Sequence, residues 1–275
     1  MQANLLQDNV RQAQRRFGGG RSFAPILGVA AILALWQLVT MLRLYPAFII
    51  PPPAAVLEKF VDVARDGRLW LHTSTTLWQM LVGLGIGLAA GVALGYAMAK
   101  SRALEDILAP IVIAFQSTPV VAYAPLLVIW FGSGPTSKVI TSALIVFFPM
   151  LMNTIVGIRS VPPSLRDLMR SLRATRWQLL TRLEIPAAMP ILIGGLKVSA
   201  TLAVIGAVVG EFVSANAGLG FWIKLARDQY DTPLVVVAVL MLALIARLMY
   251  GIISLLERRV LAWQERIRRS ASPES

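Results

Sequence analysis

Apolar runs of about 20 residues recur along this sequence and constrain its fold more than any other feature. A helix rises about 1.5 Å per residue, so a run of this length matches the hydrocarbon thickness of a bilayer. Only 15% of the 275 residues are charged, against about 25% in an ordinary soluble domain. The sequence therefore predicts an all-α, polytopic membrane protein.

Six such runs divide the chain into membrane and connecting segments. We predict membrane spans over residues 24–42, 77–99, 107–131, 139–158, 186–213 and 233–255. Residues 1–23 form a basic segment before the first span, and residues 256–275 form a basic tail after the last one. A proline-rich break follows the first run, and a short amphipathic helix is predicted over about 54–64.

Positive charge is distributed unevenly between alternate loops. The segments assigned to the cytoplasm carry 17 Lys and Arg residues, and the external loops carry seven. Because positively charged short loops stay on the cytoplasmic side, both termini are predicted to be inside. The loop 159–185 carries six of these charges and is placed on the same side. The basic tail is expected to contact anionic lipid and not nucleic acid.

The 159–185 loop has the pattern of two short amphipathic helices. Leu168 and Leu172 follow helical spacing, and so do Trp177 and Leu180. We expect these apolar side chains to hold the two helices to each other and to the membrane domain. A pair of passive helices lying on the membrane surface is the alternative that the pattern leaves open.

The second run carries a glycine at every fourth position, namely Gly83, Gly87, Gly91 and Gly95. This spacing aligns the glycines on one helix face, where the missing side chains let another backbone approach closely. We therefore predict a helix-packing seam. Two glycine-rich stretches look like nucleotide-binding loops. Residues 85–90 follow no strand, and residues 132–138 lack the Gly-Lys-Ser/Thr ending and lie on the predicted outer side, so no ATP site is expected in this chain.

Polar and proline residues interrupt the third run, and a carboxylate lies in the fifth. Non-helical backbone at membrane depth is tolerated where protein buries it or where it lines a water-filled cavity. Ionisable groups in membrane spans commonly mark transport pathways, so Glu211 is also predicted to line the substrate path. A proline-kinked packing helix and a structural ion pair are the respective alternatives. The predicted substrate path comprises Gln116, Ser117, Pro119, Tyr123, Glu211 and Phe212.

Residue types that support catalysis or metal binding are sparse. Glu211 is the acidic residue within a predicted span, His72 is the single histidine, and cysteine is absent. We therefore expect no catalytic residue and no metal site. An autonomous secondary transporter remains an alternative function, although such proteins commonly contain inverted repeats and the sequence shows none.

Three positions in the 159–185 loop stand at a recognisable spacing: Asp167, Arg173 and Ile185-Pro186. In this respect the loop resembles the coupling loop in membrane subunits of binding-protein-dependent ATP-binding-cassette importers, which carries an acid, a glycine and a Leu-Pro pair at those positions. The departures are Leu168 and Met169 in place of two alanines, and Arg173 in place of the glycine.

Further stretches extend the resemblance across nearly the whole chain, at residues 48–53, 115–119, 124–132, 206–212 and 218–220. They are similar to the branch that includes nitrate, sulfonate, taurine, riboflavin and thiamine-pyrimidine permeases. The resemblance implies a homodimeric permease of the bacterial inner membrane, without a cofactor of its own. Two cytoplasmic ATPase subunits would bind ATP and Mg, and an external substrate-binding protein would deliver the solute.

The resemblance also implies roles for individual residues. Those expected to couple to the ATPase are Asp167, Leu168, Arg170, Arg173, Ala174, Arg176, Trp177 and Pro186. The run 201–212 is more similar to riboflavin or thiamine-pyrimidine permeases than to sulfonate permeases, so a vitamin or vitamin precursor is the expected substrate. Sulfonate, taurine and nitrate are the alternatives.

Overall fold

The computed structural model describes residues 24–262, and every regular element in that part of the chain is helical. The helices, in chain order, are α1 Ala24–Met41, α2 Pro53–Arg65, α3 Arg68–Lys100, α4 Arg102–Ser117, α5 Val120–Phe131, α6 Pro135–Arg159, α7 Pro163–Ser171, α8 Arg176–Leu179, α9 Ile185–Val213, α10 Leu219–Asp228 and α11 Thr232–Val260. A π-helical turn, Leu180–Glu184, joins α8 to α9. The all-α prediction is confirmed, and residues 1–23 and 263–275 lie outside the described part.

Four helical stretches are long and apolar enough to cross a membrane: α3, α6, Arg176–Val213 and α11. The predicted third span is a pair of helices, α4 and α5, bent by 96° at the break between them. The region of the predicted first span contains a shorter apolar helix, Leu27–Met41. The described residues thus give four spans, or five with the bent pair, and the count of six stays a prediction.

The centre of the bundle contains α3, α6 and α9. A Cβ atom added to Gly83 would lie 2.5 Å from the Ser142 Cβ, and one added to Gly95 would lie 2.8 Å from the Thr154 Cβ. The contacts advance in the same direction along both helices. α3 and α6 therefore run parallel, so the chain between them must return to the opposite end of the bundle. The pair α4 and α5 makes that return, which makes it one broken crossing and not a re-entrant loop.

The third core helix, α9, runs antiparallel to α6. A Cβ atom on Gly195 would lie 2.8 Å from the Asn153 Cβ, whereas one on Gly210 would lie 2.9 Å from the Lys138 Cα. As residue numbers rise along α9, the numbers of the α6 residues that they contact fall. The start of α9 consequently lies at the same end of the bundle as the end of α3.

The break between α4 and α5 has a local cause. Thr118 has an extended backbone, with φ −91° and ψ 126°, and it precedes Pro119. A proline disfavours the helical conformation in the residue before it and cannot donate a backbone hydrogen bond. The interruption predicted for this run is therefore present, and it is a sharp bend.

The helix that contains the second predicted span begins before the apolar run 77–99. Residues 68–76 were assigned to an external loop, but they form the first turns of α3. Gly67, with a φ of 81°, reverses the chain, and the Arg68 N–H donates to the Asp66 Oδ1 at 3.0 Å. These turns contain polar residues, so a search for apolar runs did not include them in the helix.

The amphipathic helix predicted over about 54–64 is present as α2, Pro53–Arg65. Lys59 on this helix pairs with Asp231, just before α11, at 2.7 Å. The Trp36 indole N–H on α1 donates to the Pro51 carbonyl at 3.0 Å. These contacts place the end of α1 and the start of α11 at one end of the bundle, opposite the end of α3.

Candidate functional site

The 159–185 loop begins with a helix that ends in a tight turn. After α7, the Ala174 N–H donates to the Met169 carbonyl at 3.0 Å, which closes the turn. Arg173 in this turn has a φ of 54°. Glycine adopts that left-handed conformation most readily and commonly ends helices in this way. Arg173 therefore keeps the geometry that a glycine would give, at a cost in backbone strain.

The chain then restarts as a helix that runs on into the membrane. The Gln178 N–H donates to the Thr175 Oγ1 at 3.2 Å, and the Thr175 N–H donates to the Gln178 Oε1 at 2.8 Å. The prediction of a separate second short helix is wrong, because α8 continues through the π-helical turn into α9. Pro186 does not end the helix, since the hydrogen bonding shifts just before it and the Ile185 N–H donates to the Leu180 carbonyl.

Apolar side chains of this loop face away from the bundle. Leu168 is 55% exposed, Leu172 is 68% exposed and Trp177 is 70% exposed. The prediction that they pack the loop against the membrane domain is therefore wrong for the chain by itself, and only Leu180 of the predicted set is half-buried. Exposed large apolar side chains among charged ones are typical of a protein interface.

Charged side chains surround this apolar surface. Asp167 and Arg170 pair with each other at 3.1 Å, and both are largely exposed. Arg173 and Arg176 are also exposed. The remaining two residues of the predicted coupling set, Ala174 and Pro186, are half-buried.

A buried carboxylate, Glu184, fastens the loop to the bundle. Its side chain is fully buried, pairs with Lys100 at the end of α3, and accepts a hydrogen bond from the Tyr96 hydroxyl at 3.4 Å. Arg166 on α7 donates to the Ile158 carbonyl at 2.6 Å. A buried charge is stable only with such partners. Sequence analysis gave Glu184 no role, and its one signal was an acid next to the start of a span.

The predicted glycine seam lies against α6. A Cβ atom on Gly87 would meet the Ala143 carbonyl oxygen at 2.5 Å, and one on Gly91 would meet the Phe147 carbonyl oxygen at 2.8 Å. Each glycine thus allows the α6 backbone to approach α3. By contrast, a Cβ atom on Gly85, on another face of α3, would have no such neighbour within 4 Å.

Four of the predicted path residues lie at the bend between α4 and α5. Gln116, Ser117 and Pro119 are exposed there, and Tyr123 is half-buried. The Ser117 Oγ donates to the Ile113 carbonyl at 2.8 Å, which continues the hydrogen bonding of α4 to its last residue. The Gln116 side chain is thus presented on an open surface, at the point where the crossing breaks.

Glu211 occupies a different environment, because its side chain is fully buried. The Thr76 Oγ1 on α3 donates to its Oε1 at 2.8 Å, and the Gly220 N–H on α10 donates to its Oε2 at 2.6 Å. Phe212, its neighbour, is 43% exposed. The structure thus does not bring Glu211 together with the residues at the bend, and its contacts favour a structural role.

The loop before α10 is shaped around the Glu211 carboxylate. Gly218 has a φ of 119°, and its N–H donates to the His72 Nδ1 at 3.1 Å. A Cβ atom on Gly220 would lie 2.9 Å from the Glu211 Oε2. The His72 ring also stacks on Trp222, with ring centroids 4.5 Å apart. His72 therefore holds this loop in the structure.

One further charged span residue has a partner across the bundle. Lys197 on α9 pairs with Glu257 near the end of α11, and its ammonium group lies 5.4 Å from the centre of the Tyr250 ring. Within residues 24–262, no group of three or more His, Asp or Glu side chains is placed to hold a metal ion.

Comparisons with known proteins give consistent similarities. The family described as "Binding-protein-dependent transport system inner membrane component" matches residues 83–262. The chain is 50% identical over 244 residues to the riboflavin transport system permease protein RibX of Chloroflexus aurantiacus, covering 87% of this chain and 91% of the relative. It is 31% identical over 246 residues to the formylaminopyrimidine transport permease protein ThiX of Halalkalibacterium halodurans, covering 90% of this chain and 98% of the relative.

A solved structure shares the fold. A chain of the MetNI methionine ABC transporter, in an inward-facing conformation, matches with a TM-score of 0.57 and 20% sequence identity. The match covers 70% of this chain and 94% of that chain.

Proposed function

Since this chain belongs to the family of inner membrane components of binding-protein-dependent transport systems, we propose that it is the permease subunit of a riboflavin importer driven by a partner ATPase. The chain spans a membrane and serves in transport, as the family does. The choice of substrate, the partner subunits and the orientation of the termini are the parts that we propose.

The proposed ATPase contact is the 159–185 loop, and the observation that carries it is the exposed apolar surface on that loop. Leu168, Leu172 and Trp177 would each lose contact with water on docking, and the Asp167–Arg170 pair would lie on or near the contact surface. The loop is also continuous with α9, so a displacement of α8 would be passed directly to a core helix. A stiff connection of this kind is what mechanical coupling requires.

The proposed solute path runs along the bend between α4 and α5. Gln116 and Ser117 are exposed there, which supports a polar surface facing a second copy of the chain. In a homodimer the two bends would line a shared passage, because non-helical backbone in a membrane needs protein or water beside it. Glu211 is not included in this path, since its carboxylate is enclosed by Thr76 and Gly220.

Riboflavin is proposed as the substrate because of the high identity to a riboflavin permease, with a thiamine pyrimidine as the next candidate. Sulfonate, taurine and nitrate are the remaining alternatives. In a binding-protein-dependent importer the external protein selects the solute. The test is uptake of labelled riboflavin and labelled formylaminopyrimidine by the complete transporter with its own binding protein. Uptake of a sulfonate with neither of these would contradict the proposal.

The ATPase contact is tested with two matched tryptophans. Trp177 is 70% exposed on the loop, and Trp70 is 75% exposed at the opposite end of the bundle. Trp177→Ser should raise the dissociation constant for the ATPase by more than tenfold, which corresponds to about 1.4 kcal/mol or more of lost binding energy, and should thereby reduce its co-purification. Trp70→Ser should leave co-purification unchanged. Equal effects of the two substitutions would contradict the assignment.

A further inference from the structure

A cavity of about 740 Å³ lies between the end of α3 and the 159–185 loop. It is lined by Tyr96, Ala99, Lys100, Arg166, Arg170, Ala174, Arg176 and Leu179. Half of these residues are cationic, and none of them is acidic. The cavity therefore differs from the apolar grooves of the spans, and its volume is within the range of about 300–1,000 Å³ found for ligand pockets.

The charges around the cavity are not balanced by the residues that the structure describes. Glu184 pairs with Lys100, and Asp167 pairs with Arg170. Arg176 has neither an ion pair nor a hydrogen bond from its side chain within residues 24–262. Two positive charges therefore remain in excess at one cavity, and their mutual repulsion favours the entry of an anion.

One guanidinium group in the cavity wall is held in a fixed orientation. The Nε of Arg166 is buried, and it has no hydrogen-bond partner among the described residues. Its nearest carboxylate oxygen, the Glu184 Oε1, is 3.9 Å away, which is too far for a hydrogen bond. The Arg166 Nη2 is fixed by the Ile158 carbonyl at 2.6 Å, so the orientation of the guanidinium group is set. The Arg166 guanidinium is therefore a fixed positive charge beside the cavity.

We propose that this cavity binds a phosphate group, supplied by the headgroup of an anionic lipid in the adjacent leaflet or by a soluble phosphate. Guanidinium groups match phosphate oxygens in geometry and form short, charge-assisted hydrogen bonds with them. Basic pockets at the cytoplasmic ends of membrane helices are suited to lipid headgroups. The site requires no step of transport, so it goes beyond the proposed function and does not rest on it.

A phosphate suits this cavity better than the carboxylates of a docked protein. Lys100 and Arg166 line the cavity, whereas Leu168, Leu172 and Trp177, which would meet a protein partner, are exposed on the outside of the loop. A compact anion can approach Arg166 and Arg176 together, because both line the same cavity.

The test uses the full chain in nanodiscs and measures its thermal unfolding. Inorganic phosphate is titrated into phosphatidylcholine discs, with chloride at matched ionic strength as the reference. In a second series, phosphatidylglycerol replaces part of the phosphatidylcholine. A rise of Tm with phosphate identifies a soluble phosphate, and a rise only with phosphatidylglycerol identifies the lipid headgroup. Either result supports the site.

Two variants and one matched control decide whether the effect arises in the cavity. Arg166→Gln and Arg176→Gln should each raise the half-saturating concentration of the effective anion by about 10- to 100-fold, since each removes a charge-assisted hydrogen bond. Arg176 is exposed at the start of α8, so its substitution tests the site even if Arg166→Gln misfolds. Arg182→Gln makes the same charge change on the same segment, outside the cavity, and should have no effect.

Two results would overturn the proposal. The first is that Tm responds to neither phosphate nor phosphatidylglycerol. The second is a response of equal size in the wild-type chain, both cavity variants and Arg182→Gln, which would reflect general charge screening. A third experiment adds the ATPase to the wild-type chain without phosphate and measures Tm. A rise of Tm with the ATPase alone, with no response to either phosphate source, would assign the cationic wall to protein docking and would also reject the site.

Discussion

Glu211 holds three elements together through one carboxylate. It lies near the end of α9, and it accepts hydrogen bonds from Thr76 on α3 and from Gly220 at the start of α10. The Leu219 N–H donates in turn to the Thr76 Oγ1 at 2.7 Å, so the loop before α10 depends on the same group. We therefore interpret Glu211 as a structural residue that closes this end of the core.

Removing the Glu211 carboxylate should destabilise the chain strongly. Glu211→Ala leaves two buried donors without an acceptor, at about 1–3 kcal/mol each, so we expect a loss of about 2–5 kcal/mol in the free energy of unfolding. Glu211→Gln should lose less, because one oxygen remains for Gly220 and the amide can donate to Thr76. The measurement is Tm in nanodiscs. A Tm equal to that of the wild type in Glu211→Ala, together with reduced uptake, would instead place Glu211 in the solute path.

Replacing Arg173 by glycine should not destabilise the chain. Its φ of 54° is a conformation that costs about 1–2 kcal/mol for a residue with a Cβ atom. Arg173→Gly should leave Tm unchanged or raise it, since the glycine loses the strain but gains entropy in the unfolded chain. Arg173→Val should lower Tm, because a branched Cβ fits this region poorly. A marked drop in Tm for the glycine variant would show that the Arg173 side chain itself holds the turn.

The core helices depend on the close approach of α3 and α6. The glycine spacing predicted a packing face on the second span, and the structure supplies its partner, α6. That partner could not be deduced from the spacing, because the contact joins Gly87 to Ala143 across the whole intervening crossing. The spacing of small residues indicates that a helix is approached closely, but not by which helix.

Two glycines on α3 provide a matched test of this packing. Gly87→Ala would place a Cβ atom 2.5 Å from the Ala143 carbonyl oxygen, whereas Gly85→Ala would meet nothing within 4 Å. We expect Gly87→Ala to destabilise the chain by about 1–3 kcal/mol through overpacking. Gly85→Ala should be neutral or slightly stabilising, since alanine favours a helix by about 1 kcal/mol over glycine. The same Tm for both variants would contradict the close approach of α3 and α6 at Gly87.

At the scale of elements, the apolar runs predicted helices, but not where each helix begins. The fifth run, predicted over 186–213, is α9, Ile185–Val213. The second span was placed at 77–99 although α3 begins at Arg68, because the turns that carry His72 and Thr76 are polar. Their partners, Gly218 and Glu211, lie far along the chain, so a local pattern could not reveal that these turns are buried.

At the scale of the whole molecule, the helix directions follow from a few contacts. α3 and α6 end at one side of the bundle, and α9 starts there, which places the 159–185 loop and the end of α3 together. The sequence predicted the side of each loop from its charge, and the relative positions of these ends agree with that assignment. The absolute side, with both termini in the cytoplasm, stays a prediction, since it depends on the membrane and not on the fold.

Two single cysteines in this cysteine-free chain test the orientation. Ser133 and Ser171 are both exposed, on opposite sides of the proposed topology. In intact cells, an impermeant maleimide should label Ser133→Cys and not Ser171→Cys. After permeabilisation both variants should be labelled, which serves as the control for reactivity. Labelling of Ser171→Cys alone in intact cells would invert the topology, and labelling of both would reject it.

We propose that energy from ATP hydrolysis enters the membrane domain through the 159–185 loop. Asp167 and Arg170 form an exposed pair on α7, and Arg227 and Asp228 form an exposed pair on α10. Exchanging the two charges within either pair preserves the net charge and the local contact. Only the first exchange inverts the charge pattern presented to the ATPase, and a mismatched charge pair at an interface costs several kcal/mol.

This role of the loop is tested by measuring solute uptake per ATP hydrolysed by the complete transporter in proteoliposomes. Co-purification of the ATPase is recorded for each variant. We predict that the double substitution Asp167→Arg with Arg170→Asp loses ATPase binding or hydrolyses ATP without uptake. The double substitution Arg227→Asp with Asp228→Arg should keep wild-type ATPase binding. Unchanged assembly, hydrolysis and uptake after the exchange on α7 would contradict the claim, and the loop would then be a passive surface helix.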